Sequence, residues 1–330
     1  MSPRSASYKL LASTTSLAVA LLLSSCGLGS GSASGSGGGG HCNGYSAGSV
    51  DPKALHGVTV KVGSKEYDEQ LILGQLTLAM MCAAGANAID ETNTKGSTQA
   101  RDKLIHGGSD VYWDLTGTAY YSYLGHDKPI PDAQKLYEAV KTEDLAKHQL
   151  VWGQLAPWNN TYAFATTKEF AEKNNLRTHS DMAAYLAQHP DATVCMESEF
   201  AVRPDGYPGF SKAYGITGGK VKNLGIGVIY TQVDKGSCDF GEVFTTDGRL
   251  GALGLTVLQD DKAFFPLYNG APVVTEATDK AHPEILQVLA PLAEKLTTEA
   301  MRAMNTRVSA DGESPKVVAI DFLKKEGFIK

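Results

Sequence analysis

The feature that most constrains this chain is a strand–loop–helix alternation that begins at Val58, halts near residue 160 and starts again. Val58-Thr-Val-Lys-Val62 alternates apolar and polar residues, as a half-buried strand does. Gly63-Ser64-Lys65 reads as a loop. Glu66–Ala84 reads as a helix with Leu71, Leu73, Leu76, Leu78 and Met81 as its apolar positions. Ala88–Glu91 predicts a strand, Ser97–His106 a helix stopped by Gly107-Gly108, and Asp110–Leu115 a strand closed by Thr116-Gly117-Thr118. Ala133–Ala146 (helix) and Gln149–Trp152 (strand) complete the first run.

The second run has Ala163–Thr166 extended, a helix over Thr178–Gln188, a buried strand over Thr193–Glu197, and short helices over Gly209–Tyr214 and Tyr230–Lys235. A strand over Asp239–Phe244 leads into E-V-F-T-T-D-G-R, where Asp247-Gly248 reads as a tight turn. Ala271–Val274 is then a strand. Pro283–Met304 is a single long helix with Ile285, Val288, Leu289, Leu292 and Leu296 on one stripe, and Val317–Lys325 is the last helix. Repeated alternation of this kind argues an α/β fold. Ligands of such sheets bind beyond the carboxyl ends of the strands. The loops holding Ser64-Lys65 and Leu115–Thr118 lie there, and Phe244 and Tyr268 are expected on loops facing them.

Ahead of the first strand the chain has a different character. Arg4 and Lys9 precede a mostly apolar run from Leu10 to Leu23, too short and too rich in serine for a membrane-spanning helix. Leu23-Ser-Ser-Cys26 resembles a bacterial lipobox, which implies cleavage after residue 25 and lipid on Cys26. Residues 27–40 are nearly all Gly and Ser, a flexible coil. Loss of Arg4 and Lys9 with the leader takes the formal charge from −6 to −8, which argues against a nucleic-acid partner. Four cysteines remain, Cys42, Cys82, Cys195 and Cys238, and in an exported chain an even number suggests disulfides. Three pairings are possible. Cys42–Cys82 with Cys195–Cys238 is favoured, because the first would pin the end of the tether to the opening helix and the second would link neighbouring strands. No metal-spaced cysteine or histidine set, phosphate loop or nucleophile motif occurs, so neither a metal, a cofactor nor catalysis is expected.

Six motifs in order carry a family likeness: G-S-K-E-Y-D-E-Q-L-I-L-G, L-I-H-G-G-S-D-V-Y-W-D-L-T-G-T, W-N-N-T-Y-A-F-A, E-F-A-V-R-P-D-G, F-T-T-D-G-R-L and D-D-K-A-F-F-P-L-Y-N-G-A-P. Over residues 57–330 the chain resembles the substrate-binding proteins of osmoprotectant ABC importers, the glycine betaine/choline/carnitine type. The resemblance implies a two-lobed periplasmic-binding-protein-like fold (type II), with a ligand cleft between α/β lobes joined by two crossing strands. It implies a leader at 1–25, a lipid anchor and tether at 26–56, a first lobe from 57–160 plus 264–330, and a second lobe at 161–263. It also implies a monomer that delivers ligand to a permease with its ATPase.

The family's cage of four tyrosines falls here on Leu115, Tyr162, Phe244 and Tyr268. Two positions match and two depart: Phe244 keeps the ring without the phenol, and Leu115 lacks the ring. The family's carboxylate-binding positions fall on Lys65, Thr118 and Arg203, all present. Each has a plainer role available: Arg203 paired with Asp205, Lys65 in solvent, Thr118 capping a helix. Two ligand classes follow from these residues. One is a small osmoprotectant such as glycine betaine, choline or carnitine. The other is a larger or aromatic (phenolic) ligand, suggested by the more apolar walls at Leu115 and Phe244. A ligand-sensing or adhesion lipoprotein is the non-transport reading.

Overall fold

A computed structural model describes residue 42 and residues 44–330; the expected leader, Cys26 and most of the glycine tether lie outside the described residues. Among the described residues ten strands follow in chain order. They are β1 (Thr59–Lys65), β2 (Asn87–Thr94), β3 (Val111–Leu115), β4 (Leu150–Trp152), β5 (Tyr162–Thr166), β6 (Thr193–Met196), β7 (Lys220–Asn223), β8 (Phe240–Phe244), β9 (Thr256–Val257) and β10 (Gly270–Thr275). They form two five-stranded sheets, ordered β2-β1-β3-β10-β4 and β7-β6-β8-β5-β9.

The direction of each strand shows how the chain travels. Within each sheet, strands reached through a helix are parallel: β1 with β2 and β3, and β6 with β7 and β8. A parallel pair needs a long crossover, normally a helix. The two strands that arrive from the other sheet run antiparallel to their new neighbours: β5 to β8, and β10 to β3 and β4. The connections bringing them in touch each other at an antiparallel bridge between Asn159 and Asn269. Strands β3, β5 and β8 are buried along their whole length. Their nearly continuous apolar runs suit sheets covered on both faces.

The helix Asp68–Ala83 has no wet face over most of its length; Ile72, Leu73, Leu76, Leu78, Met80 and Met81 are all buried. A helix that is apolar all round belongs in a core. It packs on β1 and β2 and against the helices Glu284–Lys295, Thr298–Ser309 and Pro315–Lys325. Cys82 near its end is bonded to Cys42, and Cys195 of β6 is bonded to Cys238 just ahead of β8. The folded body reaches further back than residue 57: Leu55 is fully buried, and Gly48 and Ser49 donate backbone hydrogen bonds to Phe328 and Gly327.

Several sequence expectations change in the fold. Lys65 is the last residue of β1 rather than part of a loop, because the ladder to β2 resumes at Lys65–Thr94 after an irregularity. Phe244 ends β8, where the expected strand over Asp239–Phe244 put it, and pairs with Tyr162 rather than sitting on a loop. The expected helix over Pro283–Met304 is two helices, Glu284–Lys295 and Thr298–Ser309. Leu296 leaves helical geometry, its carbonyl accepts the Trp158 N–H at 3.1 Å, and the Thr297 hydroxyl caps the second helix. The apolar stripe continues across this break, so periodicity conceals it. The helix expected at Tyr230 begins at Ile226. Gly248 has φ −67°, so its turn does not need left-handed backbone. It needs a missing side chain, since a Cβ there would lie 2.2 Å from Thr306.

One carboxylate ties these parts together. Glu69 is 3% exposed and has four donors around it: Trp158 Nε1 at 3.1 Å, Asn160 Nδ2 at 2.9 Å, Thr246 Oγ1 at 2.6 Å and Asn305 Nδ2 at 2.8 Å. These come from the first crossing, the turn after β8 and the helix Thr298–Ser309. Burial pushes its pKa up and the four hydrogen bonds pull it down, leaving it above the ordinary value. Glu69→Ala would orphan four buried donors, each costing about 1–3 kcal/mol if unmet. We expect a loss of more than about 3 kcal/mol in urea unfolding, with a much smaller loss for Glu69→Gln. An alanine variant within about 0.5 kcal/mol of the parent would show that the hub does not hold the fold.

The return crossing is anchored by Asp260. Its carboxylate accepts from the Tyr214 hydroxyl and from the N–H groups of Phe264 at 3.0 Å and Phe265 at 2.8 Å. Burial raises its pKa, but His179, Tyr214 and the two N–H groups outweigh that and hold it down to about 2. An unfolded Asp titrates near ~3.9. The folded value is depressed, so this stabilisation is present above about pH 4 and is lost as pH falls towards 2. Asp260→Asn should lower stability by about 1–2 kcal/mol at pH 7. Its thermal midpoint should converge with the parent's as pH drops below 3; a gap that stays constant to pH 2 would refute the assignment.

Candidate functional site

The carboxyl ends of β1, β3, β6, β7 and β8 surround one cavity of about 610 Å³. The strand ends and the residues just beyond them supply part of the lining: Lys65 from β1, Leu115 from β3, Glu197 and Glu199 after β6, Asn223 from β7 with Leu224 and Gly225 after it, and Phe244 from β8. Tyr162 opens β5, and Tyr268 lies on the return crossing. All seven residues singled out by sequence, Lys65, Leu115, Thr118, Tyr162, Arg203, Phe244 and Tyr268, line this one space. Residues from both sheets therefore face each other across it.

The aromatic residues form a connected wall. Tyr162 lies 5.1 Å from Phe244, centroid to centroid, and 5.2 Å from Tyr268 edge-on. The wall continues to a residue that sequence reading left unassigned: Tyr67 stacks on Phe244 at 5.3 Å and 26°. Tyr67 sits in the same G-S-K-E-Y-D-E-Q motif as Lys65, so its place in that motif was the available signal. Leu115, 5% exposed, adds an aliphatic surface. Burial raises the phenol pKa values of Tyr67, Tyr162 and Tyr268 well above the ordinary value, so all three remain hydroxyl donors.

The cations are already engaged. Lys65 Nζ donates to Asp114 Oδ1 at 2.9 Å, and both side chains are buried. Arg203 donates through Nε to Asp205 Oδ1 at 2.9 Å, through a second nitrogen to the other Asp205 oxygen, and through its third to Glu199 Oε1 at 3.0 Å. A bidentate pair of this sort is strong and directional. Tyr268 donates its hydroxyl to Asp205 Oδ2 at 2.6 Å, so one carboxylate fixes both the guanidinium and the ring. The plainer pairing of Arg203 with Asp205 is the one the structure holds. Thr118 is buried in the turn Thr116–Thr118 and makes no side-chain capping bond there.

Carboxyl groups were the other omission of the sequence reading. Glu199 Oε2 accepts the Ser97 N–H at 3.0 Å, which ties the loop after β6 to the start of the helix Ser97–Ile105 across the cavity rim. Glu66 accepts the neighbouring Gly96 N–H. Burial pushes Glu199 up, but Arg203, Lys65 and the Ser97 N–H outweigh it and hold the carboxyl below its ordinary value. Glu197 goes the other way: burial, then Glu199 and Glu66, push it up to about 7. Behind it Glu242 is fully buried and accepts the Glu197 N–H at 2.7 Å; burial and Glu197 raise its pKa well above the usual range. Asn160, also unassigned by sequence, donates to Glu69 and lines the same cavity. Among the described residues no group of His, Cys, Asp and Glu is arranged to hold a metal ion.

Comparison with known proteins agrees with this geometry. Residues 58–325 match the substrate-binding domain of ABC-type glycine betaine transport systems. A glycine-betaine-binding protein of Pseudomonas aeruginosa is 37% identical over 81% of this chain and 88% of its own length. The glycine betaine-binding protein YehZ of Escherichia coli is 31% identical over 82% of this chain and 92% of its own. A crystal structure of a glycine betaine/carnitine/choline ABC transporter component superposes with a TM-score of 0.66 at 32% identity, covering 82% of this chain and 99% of that one. With two α/β sheets meeting at a shared cleft and a match across nearly all of the folded chain, this protein belongs to the substrate-binding domain family of ABC-type glycine betaine transport systems.

Proposed function

We propose that this protein captures a small quaternary ammonium osmoprotectant, of the glycine betaine, choline or carnitine class, and delivers it to the permease of an ABC importer. The observation that carries the reading is the connected wall of Tyr67, Phe244, Tyr162 and Tyr268 in the cavity. A quaternary ammonium has no N–H to donate, so aromatic faces are what hold it. Each ring contributes about 0.5–1 kcal/mol when exposed and about 2 when dry. Tyr67 supplies a fourth ring where Leu115 lacks one. Residues 57–160 with 264–330 act as one lobe and 161–263 as the other, closing about the two crossings. A ligand shifts that closure by binding the closed form better. Isothermal titration calorimetry of the mature domain should show micromolar binding of at least one such ligand. Tyr162→Ala should weaken it at least tenfold and Leu115→Tyr should tighten it; no heat with any quaternary ammonium would overturn the reading.

A second reading keeps the importer scaffold and takes a larger or aromatic ligand. It is favoured by the cavity volume of about 610 Å³, far more than glycine betaine fills, and by the apolar Leu115 and Phe244. A panel of planar phenolic compounds in the same titration separates the two.

The mature protein is held on the outer face of the cell membrane by lipid on Cys26, with the glycine-rich stretch as tether. The lipobox-like Leu23-Ser-Ser-Cys26 supports this, and the disulfides Cys42–Cys82 and Cys195–Cys238 suit an oxidising compartment. Among the described residues no helix is long and apolar enough to cross a membrane. Cys26→Ala should abolish labelling by radioactive palmitate and release the protein from the membrane fraction. Unchanged labelling would place the lipid elsewhere.

A further inference from the structure

The four aromatic residues of the cavity wall do not offer it the same polar groups. Phe244 offers none, and the Tyr268 hydroxyl is spent on Asp205 at 2.6 Å. The hydroxyls of Tyr67 and Tyr162 have no hydrogen-bond partner among the described residues, and neither oxygen is sealed off from the cavity that both side chains line. The Thr118 hydroxyl is in the same condition. Tyr162 and Thr118 were singled out from the motifs as site residues; Tyr67 belongs to neither the ring positions nor the carboxylate positions that the family likeness implies.

Tyr67 is held in place from three sides. Its carbonyl accepts the Leu71 N–H at 3.0 Å as the helix Asp68–Ala83 begins, and its ring stacks on Phe244 at 5.3 Å. Two residues earlier, Lys65 is tied to Asp114 through Nζ. A ring fixed in this way has little freedom left to lose when its hydroxyl meets a ligand. Burial first, then the charges of Glu69, Tyr162, Asp114 and Glu199, raise the phenol pKa well above its ordinary value, so the proton stays on. A quaternary ammonium presents methyl groups and has no proton to give to a phenol oxygen. Towards such a ligand the Tyr67 hydroxyl is useful only as a donor, and a small zwitterion offers it a carboxylate oxygen. Hydrogen bonds to an ionised acceptor are about twice as strong as neutral ones. The cavity cations do not pre-empt this role, because Arg203 is held by Asp205 and Glu199, and Lys65 by Asp114.

We infer that Tyr67 is a specificity-determining residue whose hydroxyl donates to the carboxylate of a zwitterionic ligand, beside the hydroxyls of Tyr162 and Thr118. The inference rests on the quaternary-ammonium reading above and adds a residue to it. Tyr67→Phe is the test, since it keeps the ring and its stack on Phe244 and removes one oxygen. The probes are glycine betaine and tetramethylammonium chloride, which carries the methyl groups and no acceptor, each titrated calorimetrically into the mature domain. The variant should lose about tenfold in glycine betaine affinity, change tetramethylammonium affinity less than about twofold, and keep its ligand-free thermal midpoint within about 2 °C of the parent's. If the parent gives no heat with tetramethylammonium, the betaine loss in a variant of unchanged midpoint decides alone. Betaine affinity within about twofold of the parent's would overturn the inference and leave the broader reading standing. So would an equal loss for both ligands, which would trace the effect to the ring, and so would a parent that binds tetramethylammonium but not betaine. Silence of the folded parent with both ligands would overturn this inference and the quaternary-ammonium reading together.

Discussion

The buried carboxylate of Glu69 is the interaction on which the arrangement of the two sheets depends. A lone carboxylate in a core is costly unless its lone pairs are filled. Here four donors fill them, and they arrive from separate parts of the chain: Trp158, Asn160, Thr246 and Asn305. Asn305 Nδ2 also reaches the Thr246 carbonyl at 3.0 Å, and Gly248 lies against the backbone of Thr306 with no room for a Cβ. The first crossing, the turn after β8 and the helix Thr298–Ser309 are thus held to the start of the helix Asp68–Ala83. Asn160, one of the four donors, also lines the cavity, so this satisfied charge is tied directly to the site's wall.

The cavity itself shows how a binding site can be built before ligand arrives. Asp205 orients both Arg203 and Tyr268, and Asp114 holds Lys65 while also accepting from the Tyr112 hydroxyl and the Leu115 N–H. The side chains at the polar end therefore have little freedom left to lose on binding, which is the advantage of preorganisation. The cost is that their charges are spent internally. A cleft rich in carboxyls, with Glu197 pushed up to about 7 and burial raising Glu242 behind it well above the usual range, presents a different field from one in which Lys and Arg stand free. The aromatic wall supplies the complementary attraction for a positive ligand.

Much of this was legible in the sequence, and the gaps have physical causes. Strand and helix periods marked nearly every major element, since burial on one face or both imposes them. The site residues emerged from motif order, and Tyr162, Phe244 and Tyr268 do lie side by side. The helix break at Leu296 escaped because its cause is a carbonyl bonded to Trp158, more than a hundred residues away in the chain. Strand β7 escaped because all four of its residues are exposed and carry no alternation to detect.

What the sequence alone determined is the class of fold, the restart of the pattern between two units and the residue types brought to the cleft. These are consequences of local periodicity and composition, which each segment carries within itself. Only the tertiary structure decided which charges are free. Whether Arg203 faces a ligand or Asp205, whether Lys65 is in solvent or buried on Asp114, and whether Tyr67 has an idle hydroxyl are all pairwise matters. They depend on distances between residues far apart in the chain, or on side-chain orientations set by such neighbours. Electrostatic interactions reach only a few ångströms with useful strength in a partly wet cleft. No pattern along the chain records them.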